Sequence, residues 1–219
     1  MSVAVVTFPG SNCDDDCHHA FGTVLGQRTA RVWHKDTALP SGTDLVVLPG
    51  GFSYGDYLRC GAIARVSPVM QEVIRFAERG GRVLGICNGF QILCEARLLE
   101  GALLRNRSLR FVCDWVSAEV ATTASAFTAR VARGQMLRLP VAHGDGGFFE
   151  DEDGLRALED EDRVLLRYAG WNPNGSRNGI AGIVNRGRNV FGLMPHPERA
   201  CEEALGSTDG LALLEGVLS

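Results

Sequence analysis

The chain of 219 residues carries a formal net charge of −4, which leaves no basic surface of the kind that nucleic acid requires. Its hydrophobic fraction of 45% and charged fraction of 22% are those of a globular protein, and no apolar run approaches the roughly 20 residues of a membrane span. Seven cysteines are an odd number in a chain too large to need disulfides, and no secretory signal precedes the first apolar run. We therefore expect one domain over 1–219 and a reducing, cytoplasmic location.

Strand-like and helix-like segments alternate in the N-terminal half. Short unbroken apolar runs predict strands that are buried on both faces of a parallel sheet, and they cover 3–8, 28–33, 44–48 and 82–86. Helices are expected over 12–25, with Asn12 as its cap, and over 68–79, with Ser67 as its cap and Pro68 in its first turn. This alternation predicts βαβ crossovers.

The C-terminal half is rich in strand patterns and shows no clear helix between them. The predicted strands cover 110–121, 135–142, 164–168, 179–185 and 189–193. Residues 186–188 predict a hairpin loop between the last two strands, and 208–218 predict a closing amphipathic helix. The expected fold class is α/β: a mostly parallel central sheet flanked by helices on both faces, with an added antiparallel, strand-rich section in the C-terminal half.

The segment Gly85-Ile86-Cys87-Asn88-Gly89 has the pattern of a nucleophile elbow, with cysteine as its central residue. An apolar strand enters the segment and a helical pattern leaves it. The turn is sharp, so side chains at the two glycine positions would collide with their surroundings. A thiol placed there lies at a helix N-terminus, whose partial positive charge favours the thiolate. Cys87 is therefore the predicted nucleophile, whereas a cysteine without this context is more often a buried apolar residue.

A glycine pair follows the predicted strand 44–48. Loops after the carboxyl ends of parallel strands line the ligand crevice, so this loop should face Cys87. Paired glycines let backbone N–H groups approach a bound carbonyl closely, as an oxyanion hole requires. We expect Gly50, Gly51 and Phe52 to form an oxyanion and substrate-binding loop, with the N–H groups of Gly51 and Asn88 as donors.

A thiolate nucleophile needs an imidazole that shares its proton and later protonates the leaving amine. The candidate histidines are His18, His19, His34, His143 and His196. His196 is favoured because Pro195 and Pro197 stiffen its loop. Residues two apart in an extended segment point the same way, so Glu198 is expected to hydrogen-bond the ring as the acid of a triad.

Two other clusters contain chemistry-bearing side chains. Cys13, Cys17, His18 and His19 are residue types that bind metals, but no second cluster with ligand spacing accompanies them, and we predict no metal site. Residues 143–147, His-Gly-Asp-Gly-Gly, have the composition of a functional loop without specifying a reaction.

Taken together, the motifs resemble the class I, or triad, glutamine amidotransferases. They are Pro-Gly-Gly-Phe-Ser at 49–53, Gly-Ile-Cys-Asn-Gly-Phe-Gln at 85–91 and Pro-His-Pro-Glu at 195–198. Four further stretches are similar to the glutaminase subunits (subunit I) of phosphoribosylformylglycinamidine synthases. They are Phe-Pro-Gly-Ser-Asn-Cys-Asp at 8–14, Ser-Tyr-Gly-Asp-Tyr-Leu-Arg-Cys-Gly-Ala at 53–62, Asn-Pro-Asn-Gly-Ser at 172–176 and Met-Pro-His-Pro-Glu-Arg at 194–199.

The resemblance implies a reaction and its partners. Cys87 would attack the side-chain amide of glutamine, and a γ-glutamyl thioester would form with loss of ammonia. Water activated by His196 would then release glutamate. Ammonia would pass to a large synthetase subunit that uses ATP and Mg²⁺ to convert formylglycinamide ribonucleotide to formylglycinamidine ribonucleotide in purine biosynthesis, with a small third subunit bridging the two. Gln91 matches a position that helps to hold the backbone of glutamine in this family.

The chain departs from the family at one loop, and it lacks a site for ATP. Members of the family usually read His-Gly-Glu-Gly followed by arginine or lysine, whereas this chain has His-Gly-Asp-Gly-Gly at 143–147. The shorter acid and the lost cation bear on contacts to glutamine or to the synthetase. No Gly-x-x-x-x-Gly-Lys-Ser/Thr motif occurs, and Lys35 is the only lysine, so no cofactor is expected on this chain.

Three alternatives remain open on the sequence alone. The chain could be a glutaminase subunit that serves another synthetase, although the motifs at 8–14 and 172–176 favour the resemblance above. It could be a stand-alone cysteine hydrolase, although such enzymes usually take their histidine from soon after the elbow and His196 lies far downstream. It could also be a non-catalytic scaffold, which substitution of Cys87 would distinguish.

Overall fold

Apolar runs rich in valine, leucine and isoleucine form the centre of the fold, because their side chains fill both faces of a buried sheet. The computed structural model describes residues 1–218. Its strands are β1 (Ser2–Thr7), β2 (Arg28–Trp33), β3 (Leu45–Leu48), β4 (Arg82–Ile86), β5 (Ala102–Leu104), β6 (Val112–Val120), β7 (Met136–His143), β8 (Gly147–Phe149), β9 (Val164–Ala169), β10 (Ile180–Val184) and β11 (Val190–Leu193).

Nine strands form one mixed sheet in the order β2-β1-β3-β4-β11-β10-β9-β6-β7. The pairs from β2 to β11 are parallel, and those from β11 to β7 are antiparallel. The predicted hairpin is confirmed: Val184 of β10 pairs with Phe191 of β11 across the loop at 186–188. The predicted α/β fold class, with a parallel section and an added antiparallel section, is also confirmed.

Five α-helices accompany the sheet in the described part of the chain. They are α1 (Asp14–His19), α2 (Pro68–Glu78), α3 (Asn88–Glu95), α4 (Glu152–Asp160) and α5 (Asp209–Val217). Helix α3 packs against β3, β4 and β11, which places its N-terminus at the carboxyl ends of these strands. None of the helices described over 1–218 is long and apolar enough to cross a membrane.

Helix α1 is shorter than the predicted helix over 12–25. It begins at Asp14 and ends at His19, and a π-helical turn follows over Ala20–Val24. The prediction that Asn12 caps it is wrong, because Cys13 occupies the N-cap position without a side-chain hydrogen bond. Asn12 accepts a hydrogen bond from the Cys13 thiol instead, and its neighbour Ser11 forms an isolated bridge with the glycine loop after β3.

The sequence patterns also missed helix α4 and the small antiparallel sheet of β5 and β8. The carboxylate of Asp151 caps α4 by accepting a hydrogen bond from Gly154 N at 2.8 Å, and Leu155 and Leu158 are its buried residues. Ser67 does stand at the N-cap of α2, as predicted, but its hydroxyl bonds to Tyr54 at 2.8 Å and not to the helix.

Candidate active site

Cys87 lies at a strained turn between β4 and α3. Its backbone has φ 50° and ψ −103°, a left-handed conformation that costs free energy for a residue with a side chain. A Cβ at Gly85 would lie 2.5 Å from Leu93 Cδ1, and a Cβ at Gly89 would lie 1.9 Å from Leu48 O. Both glycines are therefore required sterically, and the geometry is that of the predicted elbow.

The thiol of Cys87 is largely buried, with 5% of the residue exposed. Its Sγ lies 3.6 Å from the carbonyl oxygen of Ala142 in β7. Cys87 is also the N-cap residue of α3, so its side chain lies at the positive end of the helix dipole.

His196 and Glu198 form a fully buried pair. His196 Nδ1 and Glu198 Oε1 are 2.7 Å apart, and only 1% and 2% of these residues is exposed. The backbone N–H of His196 donates to Pro140 O at 2.9 Å, which fixes the loop against β7. Nδ1 donates its hydrogen to the carboxylate. Nε2 has no hydrogen-bond partner among the described residues, so this second nitrogen is free to take up a proton.

The surroundings of His196 favour its charged form. Burial lowers the pKa of this imidazole, but the carboxylate of Glu198 and the thiol groups of Cys87 and Cys13 outweigh burial and raise the pKa well above its ordinary value. The side chain of Cys87 is in contact with the imidazole, as a thiolate–imidazolium pair requires.

The contact between His196 and Glu198 was predicted from an incorrect local conformation. Residues Pro197–Arg199 form a 3₁₀ turn, not an extended segment, and His196 at its start has φ −104° and ψ 89°. The turn brings the carboxylate back to the ring over two residues. Pro197 occupies the first position of the turn, where its missing N–H costs nothing.

The predicted oxyanion loop adjoins this pair. A Cβ at Gly50 would lie 2.7 Å from His196 Cε1 and 3.0 Å from Cys13 Sγ, so no larger residue fits there without displacement. Gly51 has φ 131°, and a Cβ there would lie 2.7 Å from Asn12 N. The N–H of Asn88 is the first of α3, where N–H groups lack acceptors within the helix.

The segment after β1 forms backbone hydrogen bonds with the oxyanion loop. Phe52 N donates to Gly10 O at 2.9 Å, and Tyr54 N donates to Pro9 O at 2.6 Å. A Cβ at Gly10 would lie 2.2 Å from Phe52 O, which explains the glycine in this motif. The side chain of Phe52 is partly exposed and packs against Phe111, with ring centroids 6.3 Å apart.

Asn88 and Gln91 form a second buried polar group on α3. Asn88 Nδ2 donates to Gln91 Oε1 at 2.8 Å, and Gln91 Nε2 donates to the backbone oxygen of Asp145 at 2.6 Å. Asn88 Oδ1 accepts from Ser53 N at 3.2 Å. These contacts connect α3 with both the loop after β3 and the loop at 143–147.

A cluster of acids lies beside this group. Burial raises the pKa of Asp56, and hydrogen bonds from Cys60 and Asn88 partly offset that effect. Burial and the carboxylates of Asp56 and Asp145 raise the pKa of the Cys60 thiol, which keeps it neutral. Gly147 occupies the position at which the amidotransferases that this chain resembles usually have arginine or lysine. It is buried, and a Cβ there would lie 3.1 Å from Asn174 O.

His143 is the centre of a buried polar network that the sequence did not reveal. Its Nδ1 donates to Asn106 Oδ1 at 3.1 Å, and its Nε2 accepts from Asn174 Nδ2 at 3.4 Å. Asn174 also donates to the hydroxyl of Tyr168 at 3.0 Å. Burial, together with the charge of His196, lowers the pKa of His143 to about 4, so it is neutral at pH 7. The sequence signals were the loop at 143–147 and the Asn-Pro-Asn-Gly-Ser motif that contains Asn174.

The remaining candidates lie apart from the triad, with one exception. His19 pairs with Glu202 at the surface, and His34 bonds to the hydroxyl of Tyr54 at 2.5 Å. Cys17 is buried in the core. Cys13, which had been considered as a metal ligand together with Cys17, His18 and His19, lies instead beside His196 and Glu198.

The comparisons with known proteins agree with this geometry. Residues 1–209 match the model of the CobB/CobQ-like glutamine amidotransferase domain. The chain is 57% identical to phosphoribosylformylglycinamidine synthase subunit PurQ of Trichormus variabilis, over 100% of this chain and 97% of the relative. It is 55% identical to the subunit of the same name from Wolinella succinogenes, over 99% of each chain.

Among solved structures, the chain is similar to one in the structure of PurLQS from Thermotoga maritima. The TM-score is 0.91 at 44% sequence identity, and the match covers 99% of this chain and 97% of the other. The family match and the full-length relatives confirm the resemblance drawn from the motifs. The chain belongs to the CobB/CobQ-like glutamine amidotransferases and, among them, to the PurQ family of phosphoribosylformylglycinamidine synthase subunits.

Proposed function

We propose that this chain is the glutaminase subunit of a phosphoribosylformylglycinamidine synthase and that residues 1–219 act as a single amidotransferase domain. It hydrolyses glutamine to glutamate and ammonia and supplies the ammonia to a synthetase on another chain. The observation that carries the proposal is the strained, buried thiol of Cys87 at the N-terminus of α3, beside the buried pair of His196 and Glu198.

In the first half of the reaction, the Cys87 thiolate attacks the side-chain amide carbon of glutamine. The carbonyl oxygen gains negative charge, which the N–H groups of Gly51 and Asn88 stabilise. The imidazolium of His196 then donates its Nε2 proton to the leaving nitrogen, the C–N bond breaks, and ammonia departs from a γ-glutamyl thioester.

In the second half, neutral His196 accepts a proton from water as the water oxygen attacks the thioester. The C–S bond breaks, glutamate leaves, and the thiolate–imidazolium pair is restored. Glu198 Oε1, 2.7 Å from Nδ1, accepts the hydrogen bond from Nδ1–H throughout, which orients the ring and stabilises its charged form.

The other predicted site residues, Gly50, Phe52 and Gln91, shape the pocket that receives glutamine. Gly50 leaves room for the imidazole, and Phe52 forms part of the exposed rim. The amide of Gln91 is engaged with Asn88 and Asp145. It therefore holds the loop at 143–147 in place for the substrate, and a contact to glutamine requires exchange of one of these bonds.

The partners are a large synthetase subunit and a small bridging subunit, as in the PurLQS assembly of the relative. ATP and Mg²⁺ bind to the synthetase, which aminates formylglycinamide ribonucleotide. This chain contributes no P-loop, since its single lysine, Lys35, lies outside any glycine-rich segment. All seven cysteines are free, which supports a reducing, cytoplasmic location.

The test is reconstitution of the complex with Cys87→Ala in this chain. We expect glutamine-dependent formation of formylglycinamidine ribonucleotide to be lost, while synthesis from ammonium chloride continues, because the synthetase is unaffected. Cys94→Ala is a matched control, since it removes another buried thiol of α3 that bonds only to Glu100 O. Persistent turnover of glutamine in the Cys87 variant would contradict the mechanism.

The same assay separates the two alternatives that concern activity. If the chain were a non-catalytic scaffold, the Cys87 variant would give the same rate as the wild type with glutamine and with ammonia. A stand-alone hydrolase would release glutamate at the same rate with and without the synthetase subunits, whereas we expect release to rise when the subunits are mixed.

A further inference from the structure

Cys13, His196 and Glu198 form a buried cluster of three different metal-ligating groups. One ligand atom from each residue lies within 4.8 Å of the others, and all three residues are at least 98% buried. The side chains of Cys13 and His196 both pack against Gly50, because a Cβ at that position would contact both of them. The mechanism above uses His196 and Glu198 but assigns no chemical step to the thiol of Cys13.

A second observation is that the cluster has unused coordinating capacity. Glu198 Oε2 has no hydrogen-bond partner among the described residues, although its Oε1 bonds to His196. A buried carboxylate oxygen without a partner is rare, because its desolvation is costly. The sulfur of Cys13 is in contact with the His196 ring, and it also contacts Asn12 Oδ1 at 3.3 Å and Arg199 Nη2 at 3.2 Å.

The chemistry of the three groups matches zinc. Thiolate, imidazole and carboxylate are the ligands of Zn²⁺ in proteins, at about 2.3, 2.0 and 2.1 Å, which places ligand atoms roughly 3.5 Å apart in a tetrahedral site. The ligand atoms lie within 4.8 Å of one another, so they would have to approach each other by about 1 Å at most to reach this spacing. Three protein ligands leave one position open, as in zinc sites that exchange their metal.

We propose that Cys13, His196 and Glu198 form an inhibitory site for a thiophilic divalent cation, with Zn²⁺ as the ligand. Binding breaks the S–H bond of Cys13 and the Nδ1–H bond of the His196 imidazolium, and both protons pass to solvent as the Zn–S and Zn–N bonds form. The ring then keeps its remaining proton on Nε2. It is no longer a base for water, and Glu198 no longer orients it.

A route to the site lies beside it. A groove of ≈ 290 Å³ is lined by His196, Arg199, Pro140, Ala142 and Cys113 among others, and it reaches the ring from the surface. Arg199 also bonds to Asp16 at 2.8 Å, so its guanidinium keeps a partner when the Cys13 sulfur binds a cation. The exposed thiol of Cys113 offers a competing, weaker contact at the entrance.

The metal site itself is independent of the proposed function, whereas inhibition rests on it. The first experiment therefore measures binding to the isolated chain with Co²⁺ as a spectroscopic probe. We expect one Co²⁺ per chain, with the sulfur-to-cobalt charge-transfer absorption and the visible bands of a tetrahedral site. Cys87→Ser and Cys113→Ala should keep this spectrum, because neither removes the Cys13 sulfur, and Cys13→Ala should lose it.

The second experiment measures glutamate release by the assembled complex at buffered free Zn²⁺ concentrations. Loss of a residue that only supports a metal ligand costs about 10–100-fold in affinity, so loss of the ligand thiolate should raise the half-inhibitory concentration by more than about 100-fold. Each Cys13 variant is compared with its own rate without metal. Cys113→Ala should match the wild type both in rate and in inhibition.

Two results would overturn the proposal. One is equal Zn²⁺ inhibition of the wild type and of Cys13→Ala, since the metal would then bind Cys87 and His196 directly. The other is loss of the cobalt spectrum in Cys87→Ser, which would assign the sulfur ligand to the nucleophile. If Cys13→Ala and the more conservative Cys13→Ser both fail to fold, the Cys87→Ser spectrum alone decides. Failure of the proposed function would be seen separately: the assembled complex would not release glutamate from glutamine, although the isolated chain would still bind cobalt.

Discussion

Acid should destabilise this chain through His143, a buried imidazole that stays neutral in the folded state. Its ring donates to Asn106 and accepts from Asn174, and its pKa falls from 6.5 to about 4 because of burial and the nearby charge of His196. Between these two values the unfolded chain binds a proton at this residue and the folded chain does not. Protonation therefore favours the unfolded state, and stability decreases as the pH falls.

The size of the effect follows from the two pKa values. Linkage gives a loss of about 2 kcal/mol between pH 7 and pH 5 and about 3 kcal/mol by pH 4, below which the loss levels off. This is a large fraction of the 5–15 kcal/mol by which domains of this type are typically stable. Other groups titrate in the same range, so a difference between two variants is needed.

The assay is urea unfolding of the wild type and of His143→Asn at pH 7, 6, 5 and 4. Asparagine keeps a donor near the position of Nδ1 but carries no titratable group. It should be less stable than the wild type at pH 7, because Asn174 loses an acceptor and a cavity forms. This disadvantage should shrink by about 2 kcal/mol at pH 5. A constant difference across the pH range would refute the assignment of a neutral, buried His143.

Two further substitutions test the elbow and the triad. Gly89→Ala should lower the free energy of unfolding by roughly 1–3 kcal/mol or more, because its Cβ would lie 1.9 Å from Leu48 O. Gly22→Ala, whose Cβ makes only ordinary contacts, should change it by less than about 0.5 kcal/mol in the same urea titration, and equal effects would contradict the steric argument. Glu198→Gln should lower kcat/KM for glutamine roughly 10²–10⁴-fold because the imidazolium of His196 loses its carboxylate, while turnover with ammonia is retained. Near-normal use of glutamine would argue against a triad.

The elbow could be predicted from sequence because its constraints are local. A strand, two glycines flanking a central residue and a helix fix the turn within a few residues of chain. The left-handed φ of Cys87 and the lack of space for a Cβ at Gly85 and Gly89 follow from that local geometry. The contact between His196 and Glu198 is also local, and it survived an error in the predicted backbone because a 3₁₀ turn and an extended segment both bring neighbouring residues close.

Helix α4 was missed although its signals are present. Asp151 is a favourable N-cap residue, and Leu155 and Leu158 are spaced by one helical turn. The helix has only nine residues and contains Gly154, which disfavours helix in an isolated segment. Its two leucines are part of the buried core, and burial of this kind is a tertiary effect that no local pattern contains.

The polar network of His143 and the position of Cys13 depend on contacts that are distant in sequence. Asn106, His143 and Asn174 come from three separate segments, and each looks like an ordinary loop or strand-end residue by itself. In the sequence, Cys13 was grouped with Cys17, His18 and His19 because these residue types bind metals. The chain turn at 8–13 instead directs its thiol toward His196, which is 183 residues away.

Strand order explains how these distant motifs meet. The parallel strands β1, β3, β4 and β11 are consecutive neighbours in the sheet, and each is followed at its carboxyl end by one of the motifs. In the same order, these are the segment that contains Cys13, the loop of Gly50 and Gly51, the Cys87 elbow and the turn of His196. Neighbouring strands lie about 4.8 Å apart, so the four motifs fall within a span of roughly 15 Å. The predicted parallel arrangement of 3–8, 44–48 and 82–86 was therefore sufficient to bring the first three motifs to one edge. The insertion of β11 directly beside β4 is what places the imidazole against the thiol. That adjacency could not be read from the sequence, because six strands, β5 to β10, lie between β4 and β11 along the chain.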